Sequence, residues 1–241
     1  MNKNFKASKL NYGYLIRKII RQSKTAILST DLGGKGWPYG SLVLSSCEHN
    51  ANPYLFISDL AEHTKAIKIN KKISLFYKDN NFTGDPLSGI RFSLLCEAYK
   101  MSMDKSNFLI NRFVLRHPES AIYANFEDFN IFGLTIKKVH IIGGFGKIFW
   151  LKKEDVIGKS YKLWMDSEKS IIDYFDNTKF SDYKIIGVDS EGVDFFIGKK
   201  YYRNDFDKEV DSPIQAKREI KKILKIVSYY HHLLGGGNKW N

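Results

Sequence analysis

Between Trp37 and Tyr77 the sequence sets small polar residues, one histidine and one lysine at the ends of short apolar runs. Tyr39-Gly40-Ser41-Leu42-Val43-Leu44 and Tyr54-Leu55-Phe56-Ile57 read as strands, separated by the turn cluster Glu48-His49-Asn50-Ala51-Asn52-Pro53. The second strand ends in Ser58-Asp59, a good helix start, and His63-Thr64-Lys65 open the helix that leads to a third strand at Ile73–Tyr77. Backbone N–H groups at strand ends and a helix start, with a cation beside them, can hold a phosphate. A second candidate donor set is the pair His231-His232, near the C-terminus beside Tyr229 and Tyr230.

The elements that must position these residues are β-rich. The chain has 241 residues, 43% hydrophobic and 15% aromatic, which favours sheet packing over a helical bundle. The formal net charge of +12 suits anionic ligands, but the lysines are scattered and no aromatic-interleaved basic stripe marks a nucleic-acid surface. Cys47 and Cys96 lie in apolar runs and form neither a disulfide framework nor a CxxC site. The first residues lead into no uninterrupted apolar stretch, so the expectation is a cytoplasmic protein without signal peptide or membrane span.

In chain order, residues 12–22 form an amphipathic helix with Leu15, Ile16, Ile19 and Ile20 on one face, and Ala26–Thr30 a first strand. A breaker-rich loop, Asp79–Gly89, precedes the strand Arg91–Tyr99. Helical stretches follow, the first ended by His117-Pro118. Strands at Ile131–Ile136 and Val139–Ile142 and a glycine bend, Gly143-Gly144-Phe145-Gly146, lead to Ile148–Leu151. Strands run together rather than alternating with helices, which favours a closed or split barrel over a doubly wound sheet. From Lys152 the texture changes to a long helix (Glu154–Asp176), a hairpin around Asp189–Asp194, and a final helix opened by Ser212-Pro213-Ile214-Gln215. The expected domains are 1–151 and 152–241.

The motifs Trp37-Pro38-Tyr39-Gly40-Ser41, Ser58-Asp59-Leu60-Ala61-Glu62-His63-Thr64-Lys65, Asp85-Pro86-Leu87-Ser88-Gly89-Ile90-Arg91, Arg116-His117-Pro118-Glu119 and His140–Gly146 follow one another as in a known group. In these the sequence resembles the FMN-binding split-barrel proteins related to pyridoxamine 5′-phosphate oxidase. It is most similar to the branch that includes haem-utilisation proteins. The resemblance implies an α+β fold: an antiparallel split β-barrel of the FMN-binding type, with a C-terminal αββα domain. It also implies a homodimer with FMN in the groove between subunits. Carried over by position, Tyr39, Gly40 and Ser41 line the flavin, Ile57 and Ser58 pass beside its ring and phosphate, His63, Thr64 and Lys65 hold the phosphate, and Arg91 lies near the ring. Gly40 and Ser41 stand where the oxidase carries a cation, and the oxidase's C-terminal arginine motif has no counterpart, so pyridoxine phosphate oxidation is disfavoured.

The resulting expectation is FMN-dependent redox chemistry on a small molecule. Two alternatives remain open. One is haem binding or oxygenolytic haem degradation with His231 or His232 as ligand; the other is a dimeric scaffold without catalysis. Trp164 and Lys169 occupy the places of a histidine motif in the relatives' C-terminal helix, so no ligand role follows from that helix. His63 is equally suited to helix capping. His231 is equally suited to the core stripe of its helix.

Overall fold

The computed structural model describes the backbone of residues 3–144, 146–158, 162–176 and 183–233, and their side chains except 3–11, 103, 105 and 228–233. The chain divides into two compact units, Met1–Lys159 and Ser160–Asn241.

The first unit contains α1 (Lys3–Gln22), β1 (Thr25–Leu32), β2 (Trp37–Leu44), β3 (Ser46–Cys47) and β4 (Pro53–Ser58), then α2 (Glu62–Ile69), β5 (Lys72–Lys78) and β6 (Arg91–Lys100). After α3 (Met103–Arg116) and a 3-10 turn (Pro118–Ile122) come β7 (Phe129–Ile142), β8 (Ile148–Leu151) and the short α4 (Lys153–Val156). One antiparallel eight-stranded sheet runs β2-β1-β5-β6-β7-β4-β3, with β8 on β7. This curled half-barrel is the architecture the sequence predicts. β2 and β4 approach one another without pairing, and this is the split of the barrel.

Strict alternation places Ala26, Leu28 and Thr30 of β1 inside and Ile27, Ser29 and Asp31 outside. β4 is a continuous apolar run because both its faces are covered. Leu55 and Ile57 join the barrel core with Ile16, Ile19 and Ile20 of α1, whereas Tyr54 and Phe56 pack under Leu109 and Phe113 of α3. The helix expected over Glu154–Asp176 is broken: α4 ends at Val156, and Gly158 N–H donates to Asn50 O at 2.9 Å. Val156 belongs to the barrel core, so the first unit extends past the expected boundary at Lys152.

The second unit contains α5 (Lys162–Asp176), β9 (Tyr183–Asp189), β10 (Gly192–Ile197), β11 (Lys200–Asp205) and α6 (Pro213–Leu233). It is αβββα rather than the expected αββα. The additional strand, Lys-Tyr-Tyr-Arg-Asn-Asp, is too polar to be read as one, and it pairs along the whole of β10. No helix among the described residues is long and apolar enough to cross a membrane.

Candidate functional site

The site forms on the two faces of β1. On the inner face Thr30 lies opposite Tyr39, with Ser41 one diagonal step along β2. α2 packs on β1 and turns Thr64, wholly buried, towards the barrel. Thr30 Oγ1, Ser41 Oγ, His63 Nε2 and Thr64 Oγ1 are all buried and have no hydrogen-bond partner. An unsatisfied buried polar group costs about 1–3 kcal/mol, so four on three adjoining elements are unusual without a ligand. Burial lowers the pKa of His63, which keeps the imidazole neutral near pH 7. Three hydroxyls and a neutral imidazole can together donate to an oxyanion.

The other expected members occupy different places. Ile57 is a core side chain, because its phase on β4 matches Leu55, so it offers a ligand no side-chain surface. Ser58 Oγ donates to Asp128 Oδ2 at 2.5 Å and accepts from Leu60 N–H at 3.0 Å. It therefore stabilises a turn instead of starting α2, which begins later, with Ala61 at its N-cap and no side-chain cap. His63 is likewise not a cap. Lys65 Nζ is 2.6 Å from Glu62 Oε1 on the exposed side of α2, turned away from the buried hydroxyls. Arg91 lies at the opposite end of the sheet, where its guanidinium donates to Leu87 O at 2.6 Å and Gly89 O at 3.3 Å. Ser41, His63 and Thr64 thus lie, with Thr30, on β2, α2 and β1 with a polar atom left unpartnered, whereas Lys65 is on the exposed side of α2 and Arg91 at the other end of the sheet. Tyr39 is half-buried on the inner face, and Gly40 is exposed on the outer one.

On the outer face, a groove of about 550 Å³ runs over β1, β2, β5 and β6, walled by Trp37, Pro38 and Leu95, with Ser29 and Ser74 on its floor. Gly40 opposite Ser29 keeps that end open, since even a Cβ there would meet nothing within 4 Å. Lys72 and Lys137 stand at the rim. Lys137 Nζ is 3.1 Å from Glu97 Oε2 and lowers the pKa of that carboxyl. Alongside the groove, Leu42, Ile27, Phe76, Ser93, His140 and Trp150 are successive register partners across six strands. Leu42 is 70% exposed and Trp150 56%, so this row is an apolar ridge open to solvent. Within it the His140 and Trp150 rings meet at a tilt, with centroids 4.6 Å apart.

Sequence reasoning missed Thr30 and the groove lysines. The alternation of β1 gives Thr30 the phase of Leu28, which was the available signal; Lys72 and Lys137 meet only through sheet order. His49 of the turn cluster and His117, which ends the first helical stretch, are buried: His49 Nε2 is 3.2 Å from Arg112, and His117 closes α3. His231 and His232 fall near the end of α6, and their side chains lie outside the described residues.

Against known proteins, the chain is 30% identical over 147 residues to the non-canonical heme oxygenase HOZ, chloroplastic, of Arabidopsis thaliana. That match covers 60% of this chain but 44% of the relative, so the chain spans under half of that protein's length. A protein of unknown function from Agrobacterium tumefaciens, Atu2129, superposes with a TM-score of 0.73 at 20% identity over 89% of this chain and 94% of its own. A heme binding protein from Mycobacterium smegmatis gives 0.53 at 18% identity, over 88% and 97% of the two chains. ChuZ of Campylobacter jejuni gives 0.51 at 19%, over 68% of each. These three likenesses show a shared fold. The profile of the family described as "CREG, beta-barrel" matches residues 9–161, nearly the whole first unit, and the chain belongs to this family of split-barrel proteins.

Proposed function

We propose that the protein binds haem on the outer face of its barrel, as a homodimer, and supports oxygenolytic haem degradation. The observation that carries this reading is the groove of about 550 Å³ beside an exposed apolar ridge, with cations at its rim. A flat ring system needs such a surface: apolar walls, a few polar groups and positive charge for its carboxylates. Trp37, Pro38 and Leu95 would wall the ring, Lys72 and Lys137 would hold the propionates, and Ser29 and Ser74 would offer hydroxyls near it. Leu42, Ile27, Phe76 and Trp150 would cover the other side through a second copy of the chain, which removes water from the ring. The 30% identity to a plant protein named as a non-canonical heme oxygenase supports the same reading. Bound haem would supply an iron centre for O₂ activation.

Anaerobic titration with haem is the test. A Soret band that saturates and weakens in Lys72→Ala/Lys137→Ala, together with loss of the band under O₂ and reductant, is the expected outcome. An unchanged haem spectrum in the presence of excess protein would remove the proposal.

A second reading is FMN binding, favoured by one observation: the unpartnered set Thr30, Ser41, His63 and Thr64. Its donors suit a phosphate, although Lys65 and Arg91 stand apart from them. Quenching of FMN fluorescence by the wild type, lost in Thr64→Val, would support it.

A further inference from the structure

Two carboxylates line the groove on the outer face, and they are held on different terms. Asp31 accepts from Gly36 N–H at 2.6 Å and from Asn70 Nδ2 at 3.3 Å, so it closes the turn between β1 and β2. Glu97 on β6 is met by ammonium groups. Its Oε2 is 3.1 Å from Lys137 Nζ and 3.6 Å from Lys71 Nζ, and Lys72 is its register partner on β5. Lys137 reaches this place through a β-bulge: Leu95 pairs with Lys138 and Cys96 with Ile136, which leaves Lys137 as the extra residue of β7. A bulge re-aims a side chain, and here it sends Lys137 out to the groove while Ile136 and Val139 stay in the core. Lys137 lowers the pKa of Glu97, so the carboxylate is charged at neutral pH. Both partners remain open to solvent, with the Glu97 side chain 29% exposed and that of Lys137 51%. An ion pair this exposed is weak and exchanges partners readily.

We propose that Glu97 is a resting counter-ion: it holds Lys137 before a ligand arrives and yields it to a carboxylate of that ligand. This rests on the haem reading above, in which Lys72 and Lys137 meet the propionates. Lys71, Lys72 and Lys137 crowd one rim, and like charges on neighbouring strands repel. Glu97 offsets that repulsion while it is their partner. Once a ligand carboxylate takes Lys137, Glu97 is left beside a group of its own sign, and the grip on the ligand weakens. The opposite role, orienting Lys137 for the ligand, predicts the opposite sign, since loss of Glu97 would then cost affinity. The geometry favours competition. The bulge already aims Lys137, and Glu97 engages the ammonium group itself, the part of the side chain that a propionate needs.

The test is anaerobic titration of the full chain with haem and with haem dimethyl ester, whose carboxylates are blocked, at low and high salt. Glu97→Gln should tighten haem about three- to tenfold at low salt, and the gain should shrink as salt screens the charges. The dimethyl ester should bind Glu97→Gln and wild type alike. Glu154→Gln, which removes the same charge from an exposed position outside the groove, should change haem affinity by less than about twofold. Glu97→Ala repeats the measurement if Glu97→Gln melts below wild type. Unchanged or weaker haem binding by Glu97→Gln, or an equal gain with the dimethyl ester, overturns the proposal, and a saturating Soret band in wild type then leaves the haem reading standing. Silence of both wild type and Glu97→Gln towards haem removes the two together.

Discussion

Two buried polar clusters in this molecule are built on opposite terms. In the second unit the Arg203 guanidinium is wholly enclosed, and its donors meet carboxylates. NH1 and NH2 span Asp189 at 2.9 and 3.0 Å, NH1 also reaches Asp194 at 3.1 Å, and Nε reaches Asp205 at 3.1 Å. Tyr201 adds a hydrogen bond to Asp194 at 2.7 Å. Burial alone would pull the Arg203 pKa down, yet Asp189 and Asp194 raise it well above the ordinary value. In the first unit Thr30 Oγ1, Ser41 Oγ, His63 Nε2 and Thr64 Oγ1 are buried atoms with no hydrogen-bond partner, although Ser41 and His63 are themselves only half-buried. A closed network belongs to the fold, whereas the unpartnered set is the one for which a ligand is proposed.

The comparison is broken most severely at Arg203. Arg203→Met leaves Asp189 and Asp194 buried without their cation, and should cost the second unit about 3–5 kcal/mol. Urea unfolding followed by the fluorescence of Trp164, fully buried in that unit's core, measures it; a loss below about 1 kcal/mol would mean the network is dispensable.

A pair of histidines sharpens the comparison within the first unit. His117, its ring tilted against Phe113 with centroids 4.6 Å apart, donates from Nε2 to Ser45 O at 2.9 Å, and burial lowers its pKa to about 4. The unfolded imidazole titrates near 6.5, so the unfolded state binds the extra proton first as pH falls. Stability is therefore full above about pH 6.5 and declines towards pH 4, by about 3 kcal/mol from this residue. His117→Gln should flatten that slope in urea midpoints measured across the range. His63, lowered in the same direction but unpartnered, should instead have its titration altered by added FMN or phosphate, observable by NMR.

Opposite signs are expected at Thr64. Thr64→Val removes an unsatisfied hydroxyl, so thermal stability should hold or rise by up to about 1 kcal/mol, while FMN affinity falls roughly three- to tenfold. A drop in both would make the cluster structural like that of Arg203. The smallest effect is at the groove rim. Lys72→Ala should weaken haem about two- to fivefold, with the difference vanishing at high salt, and change stability by less than about 0.5 kcal/mol.

The sequence alone determined the barrel, because alternation in Thr25–Leu32, the unbroken run Tyr54–Ile57 and the isoleucine stripe of α1 are local patterns with one physical reading. The resemblance carried Ser41 onto a strand and His63 and Thr64 onto a helix start, and the structure places them on β2 and in the first turn of α2. The sequence did not reveal that Ser58 turns to Asp128, that Gly158 divides a long helical pattern, or that Lys200–Asp205 is a strand made buriable by Asp189 and Asp194. Nor did it show that Thr30 Oγ1 is buried without a partner while Arg91 is held at the far end of the sheet by Leu87 and Gly89. Those outcomes depend on which strands become neighbours, in the order β2-β1-β5-β6-β7-β4. Spacing along the chain specifies which way a side chain faces, but the group it meets comes from tens of residues away, and only the folded sheet decides that.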